Sequence, residues 1–114
     1  MKITLHTSSL GRCDLDHVLL ETSRLGYQYV ELAADISLTP HFPAHTANPS
    51  DVAGLTRLLH QHDLELSAID IGGWDPLLCI ANLNEPERAT ALESVKHTVE
   101  VAGDLGCSLV TSHL

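Results

Sequence analysis

Five side chains of this sequence stand where they could do chemistry: His6, Glu31, Asp70, Trp74 and His113. His6, Glu31, Asp70 and His113 each end, or nearly end, a short stretch rich in β-branched, aromatic or aliphatic residues: "KITLH", "YQYVEL", "LELSAIDI" and "CSLVTSH". A carboxylate accepts hydrogen bonds from two hydroxyl groups at once. An imidazole exchanges protons near neutral pH or binds a metal through either nitrogen. Trp74 follows a Gly-Gly pair, and an indole stacks well on the apolar face of a sugar ring. Together these types suit hydrogen bonding and proton transfer to a small molecule. Structural roles compete at each position: a carboxylate paired with a cation, an aspartate capping a turn, a tryptophan covering the core, and a histidine satisfied at the rim.

The elements that must position these groups alternate regularly. Strand candidates at Lys2–His6, Tyr27–Leu32, Leu64–Ile71 and Cys107–His113 are separated by amphipathic helical stretches. The first helix places Leu15, Val18, Leu19, Thr22 and Leu25 on one stripe, and Gly26 closes it. Ser50 is the expected cap of the second, which carries Val52, Leu55, Leu58 and Leu59 inward and ends near His62 and Asp63. Asn84, followed by Glu85, Pro86 and Glu87, opens the third. Leu92, Val95, Val99 and Ala102 continue that helix, and Gly106 ends it. Regular βα alternation implies parallel strands joined by right-handed crossovers. Parallel strands put all their C-terminal ends on one edge, where open α/β sheets and barrels keep their chemistry.

The loop after the first strand, "TSSLGRCD", holds a single glycine and so lacks a phosphate-cradling pattern. That disfavours a nucleotide-binding doubly wound sheet. The expected fold is α/β: a partial (β/α)8 TIM barrel, βαβαβαβ with parallel strands, ending after strand four, in one domain covering residues 1–114. A complete barrel takes about 250 residues.

"LGYQYVEL", "LELSAID" and "VAGDLGCSLVTSH" resemble the first half of the xylose isomerase-like TIM barrels, the superfamily of the sugar phosphate isomerases and epimerases and the endonuclease IV-type enzymes. The resemblance implies a metal-dependent isomerase or epimerase acting on a sugar or sugar phosphate. It also implies a divalent metal (Mn, Mg, Co or Zn) in the complete barrel, with ligands mainly on later strands and none assigned in this chain. His6, Glu31, Asp70, Trp74 and His113 are then expected to contact substrate. Two rival readings are an endonuclease IV-type abasic-site hydrolase fragment and a non-enzymatic α/β module that self-assembles. A receiver-like module would want paired acids after strand one, where His6, Thr7 and Ser8 stand instead.

Composition narrows the classes. Fifteen acidic against six basic residues, a formal charge of -9, disfavours a nucleic-acid partner, since neutralising phosphates needs clustered Lys and Arg. At 44% hydrophobic and 18% charged, the chain can build a packed core. No apolar run approaches the ~20 residues of a membrane span. Cys13, Cys79 and Cys107 form no C-x-x-C pair, which suggests reduced thiols, and no signal peptide opens the chain; a cytoplasmic protein is expected. His41 and His45 lie in a Pro-bearing loop long enough to act as a flap, while His60, His62 and His97 fall on or beside helices and are expected to be solvated. Exposed strand edges predict poor solubility or a homo-oligomer.

Overall fold

The computed structural model describes residues 1–34, 41–73 and 75–113. Its strands are β1 (Thr4–His6), β2 (Tyr29–Ala33), β3 (Glu65–Asp70) and β4 (Val110–Thr111), with helices α1 (Leu15–Arg24), α2 (Pro49–Gln61) and α3 (Glu85–Asp104) between them. Short 3-10 turns follow β1 (Thr7–Leu10) and precede α2 (Ala44–Thr46). The strands form one sheet in the order β1-β2-β3-β4, every neighbouring pair parallel. Strand order that follows chain order is barrel winding; a doubly wound sheet reverses direction from its first strand.

The three helices end alike, and the sequence shows why. Gly26, Asp63 and Gly106 all take positive φ, at 85°, 56° and 69°. The next residue's N–H reaches back to the carbonyl five positions earlier in each case: Tyr27 to Thr22, Leu64 to Leu59, Cys107 to Ala102. The positive-φ residue itself donates three back, to Ser23, His60 and Gly103. This double bond satisfies the last orphan carbonyls and turns the chain straight into the next strand. One device, used three times, makes the βα repeat.

Helix starts differ from expectation in one place. The cap of α2 is Asn48 rather than Ser50: its side chain accepts from the N–H groups of Ser50 and Asp51, and Asp51 accepts from the Asn48 N–H. Pro49, with φ preset and no N–H to satisfy, takes the first helical position and moves the cap ahead of itself. Asn84 caps α3 as expected, accepting from the Glu87 N–H.

The core lies between the helices and one face of the sheet, with Leu19, Val30, Leu32 and Ile69 fully buried. Two helical stripes are corrected. Leu25, at the end of α1, is exposed. On α3 the buried residues are Ala91, Thr98, Val101 and Ala102, while Leu92 and Val99 are exposed. The contact face is centred on Ala91, Thr98, Val101 and Ala102, with Val95 packed against the core at its edge, so Ala102 and Val95 of the expected stripe do face inward. His62 is also corrected. It is buried, and its Nε2 lies 2.6 Å from Asp16 Oδ1, tying the end of α2 to the start of α1. His97 is half-exposed and reaches the Ala47 carbonyl at 2.9 Å; His60 is exposed.

The described part of the loop before α2 is packed rather than a free flap. Phe42, Ala44 and Ala47 are buried, and His41 Nε2–H donates to the Cys13 carbonyl at 3.1 Å.

Candidate functional site

The sheet is curled, and its polar contacts show it. Strands once removed from each other lie roughly 9–10 Å apart in a flat sheet, beyond hydrogen-bond reach for short side chains. Yet Thr4 of β1 meets Ser67 of β3 at 2.9 Å, and His6 of β1 meets Asp70 of β3 at 3.1 Å, both across β2. Thr111 of β4 reaches Glu31 of β2 at 3.2 Å across β3. The face turned away from the apolar core is therefore concave and polar. A register shift in the β2–β3 ladder at Val30/Glu31 accompanies this curvature.

The C-terminal edge of that face holds one connected network. Asp70, largely buried, accepts at Oδ1 from the Gly72 N–H at 3.0 Å and from Thr111 Oγ1 at 3.4 Å. Its Oδ2 faces His6 Nε2 at 3.1 Å and His113 Nε2 at 3.7 Å. Thr111 also reaches Glu31, so the two carboxylates share one hydroxyl. The other nitrogen of His6, Nδ1, lies 2.6 Å from Ser8 Oγ and accepts from the Ser8 N–H at 3.3 Å. Backbone supports the assembly from below: buried Thr7 accepts the Ala33 N–H at 2.8 Å and locks the turn after β1 against the end of β2.

Four of the five side chains singled out in the sequence thus gather at one edge: His6, Glu31, Asp70 and His113. His113 is the most exposed, with 66% of its side chain accessible. Trp74 lies outside the described residues. Asp70 caps the turn at Gly72 with one oxygen, the structural role weighed for it, while its other oxygen faces the histidines. Among the described residues no lysine or arginine pairs with Glu31 or Asp70.

Ser8 and Thr111 were not singled out in the sequence. The serine two residues after a strand-ending histidine was the available signal for the first, whereas the Gly-Gly pair after β3 already pointed to unusual backbone angles or close approach. Gly73 has φ 148°, and a Cβ there would collide with the His113 carbonyl, so the chain after β3 passes directly over the end of β4. His113 N–H donates to the Gly72 carbonyl at the same crossing.

His45 stands apart from this network. Burial holds its pKa below the ordinary histidine value, with Asp75 pulling it up and His97 pushing it further down. Among the described residues its buried Nδ1 has no hydrogen-bond partner, which also suits the neutral ring.

Among the described residues no three His, Cys, Asp or Glu side chains converge closely enough to hold a metal ion. These residues alone do not fit the divalent cation that the sequence resemblance implies, and no chemical step is assigned to a metal on them. What the arrangement offers is hydrogen bonding and proton exchange. Two carboxylates, two imidazoles and two hydroxyls lie together at this edge of the sheet.

No family model matches the chain, and no curated protein does. Solved structures do. A D-tagatose 3-epimerase-like protein matches with a TM-score of 0.67 at 19% identity, over 96% of this chain and 36% of that one. A sugar phosphate isomerase/epimerase from Parabacteroides distasonis matches with a TM-score of 0.57 at 16% identity, over 97% of this chain and 40% of that one. The chain therefore spans well under half the length of the solved chains it matches, and its fold is that of part of a TIM barrel.

Proposed function

We propose that this chain forms an arc of the substrate mouth of a sugar isomerase or epimerase, acting on a small sugar or sugar phosphate. The observation that supports this reading is the concave polar face, where His6, Glu31, Asp70 and Thr111 are linked by hydrogen bonds at the C-terminal edge of a curled parallel sheet. Substrate hydroxyls would exchange for these internal partners, donating to Glu31 and Asp70 and accepting from Thr111. His6 and His113, both beside Asp70, would carry protons to and from substrate oxygens. A divalent metal in such an enzyme polarises the substrate carbonyl. In this proposal its carboxylate and histidine ligands lie on strands other than these four, and these four supply the wall that orients the sugar.

The test is an epimerisation assay with free and phosphorylated ketoses in the presence of Mn, Mg, Co or Zn. Product formation abolished by a strong chelator supports the proposal; turnover unaffected by the chelator excludes metal dependence. The outer edges of β1 and β4 are unpaired among the described residues, and the exposed Ile3 lies beside β1. We propose that the chain by itself associates through these edges. A single monomeric species in analytical ultracentrifugation at high protein concentration would disprove that.

A further inference from the structure

We propose that Ser8, His6 and Asp70 form a serine–histidine–aspartate relay that makes the Ser8 hydroxyl a nucleophile toward small carboxylic esters, an activity separate from any sugar chemistry. The tautomer of His6 carries the argument. A backbone N–H can only donate, so the Ser8 N–H pointing at Nδ1 at 3.3 Å makes Nδ1 an acceptor. The ring proton then sits on Nε2, which faces Asp70 Oδ2 at 3.1 Å. With its lone pair on Nδ1, the ring can take the proton of Ser8 Oγ, 2.6 Å away.

Asp70 is held in place from two sides, by the Gly72 N–H and by Thr111, so the ring it orients is fixed as well. The logic is that of the serine hydrolase triad with the two ring nitrogens exchanged: a carboxylate fixes the tautomer, and the opposite nitrogen serves as base. A local turn needs only the Ser8 N–H contact. It requires neither the short hydroxyl contact nor a largely buried carboxylate on the far side of the ring. Ser8 itself is partly accessible.

In the step proposed, Ser8 Oγ forms a bond to the acyl carbon while its proton passes to His6 Nδ1. The bond from the acyl carbon to the leaving oxygen breaks, and the proton moves from Nδ1 to that oxygen, releasing the alcohol or phenol. Asp70 stabilises the transient imidazolium. Water, deprotonated by the same Nδ1, then attacks the Ser8 ester, releases the carboxylic acid and restores the hydroxyl.

The experiment treats the whole chain with p-nitrophenyl acetate, follows phenol release, and maps the acetyl group by peptide mass spectrometry. The expected result is acetylation at Ser8, with release slowed about a hundredfold in Ser8→Ala and in His6→Ala. Ser9→Ala, which alters an exposed neighbouring hydroxyl, should leave the rate unchanged. Acetyl groups found only on lysines or histidines would overturn the proposal.

A second measurement does not depend on turnover. Long-range proton–nitrogen spectra of 15N-histidine-labelled protein should show the neutral His6 ring protonated at Nε2. That tautomer should persist in Ser8→Ala and become mixed in Asp70→Asn. A neutral wild-type ring protonated at Nδ1 would exclude the relay.

Discussion

The two ends of the sheet are both polar, but they are built differently. At the strand starts, Gln28, His60, Asp63 and Glu65 line a cavity of about 540 Å3 between the ends of α2 and α3. Among the described residues no side-chain hydrogen bond joins these four to one another, and His60, Asp63 and Glu65 are exposed to solvent. At the strand ends, His6, Ser8, Glu31, Asp70 and Thr111 are tied into a single network. The cavity at the strand starts and the hydrogen-bonded site at the strand ends are thus in different places. Groups solvated one by one can be replaced cheaply, whereas mutually satisfied groups cannot, because removing one strands its partners.

Replacing Asp70 with Ala should have the largest effect. It leaves the Gly72 N–H and His6 Nε2 without their acceptor and Thr111 with Glu31 alone, a loss of about 2–3 kcal/mol in denaturant unfolding. Glu65→Ala at the opposite end should stay within about 0.5 kcal/mol of the parent. Equal losses at the two sites would erase the contrast between them. Gly73→Ala should cost about 1–3 kcal/mol, because its methyl group collides with the His113 carbonyl and must push β4 away. Faster hydrogen exchange at the His113 amide would locate that effect at the mouth; unchanged exchange would contradict it.

Asp63→Gly sharpens the comparison from the other side. Asp63 is the one non-glycine residue at positive φ among the described residues, in the position that Gly26 and Gly106 fill in the other two helix ends. Glycine there should add about 0.5–1 kcal/mol of stability, read as a raised unfolding midpoint without a change in slope. The smallest expected effect is a pH dependence at His45. Its folded pKa lies below the ordinary value of 6.5, so the unfolded chain binds the proton more readily. Its contribution is fully present above pH 6.5 and is lost as pH falls toward the folded pKa. A His45→Asn variant should show a shallower decline of stability with acid. A decline as steep as the parent's would assign the effect to other groups.

Much of the scaffold was legible in the sequence because its signals are local. Gly26 and Gly106 marked helix ends, since few other residues adopt positive φ cheaply, and the run from Asn84 to Glu87 marked a helix start. The end of α2 was read near His62 and Asp63 without a glycine to mark it, and Asp63 does the same work there. The α3 stripe was right at Ala102 but misjudged at Leu92 and Val99, because hydrophobic spacing favours large residues whereas the packed face uses Ala91 and Thr98. Burial of His62 depends on Asp16, 46 positions away, and no local pattern reports such a partner.

What the sequence determined by itself was the alternation of elements, the parallel winding and the type of residue at each strand tip. These follow from backbone preferences and from burial of one face, which act over a few residues. The tertiary structure decided which tips touch. Only the curl of the sheet brings β1 to β3 and β2 to β4 across an intervening strand, giving Asp70 its histidine and Glu31 its hydroxyl. Curvature is a property of the assembled sheet, set by twist and packing over all four strands, so no single segment encodes it.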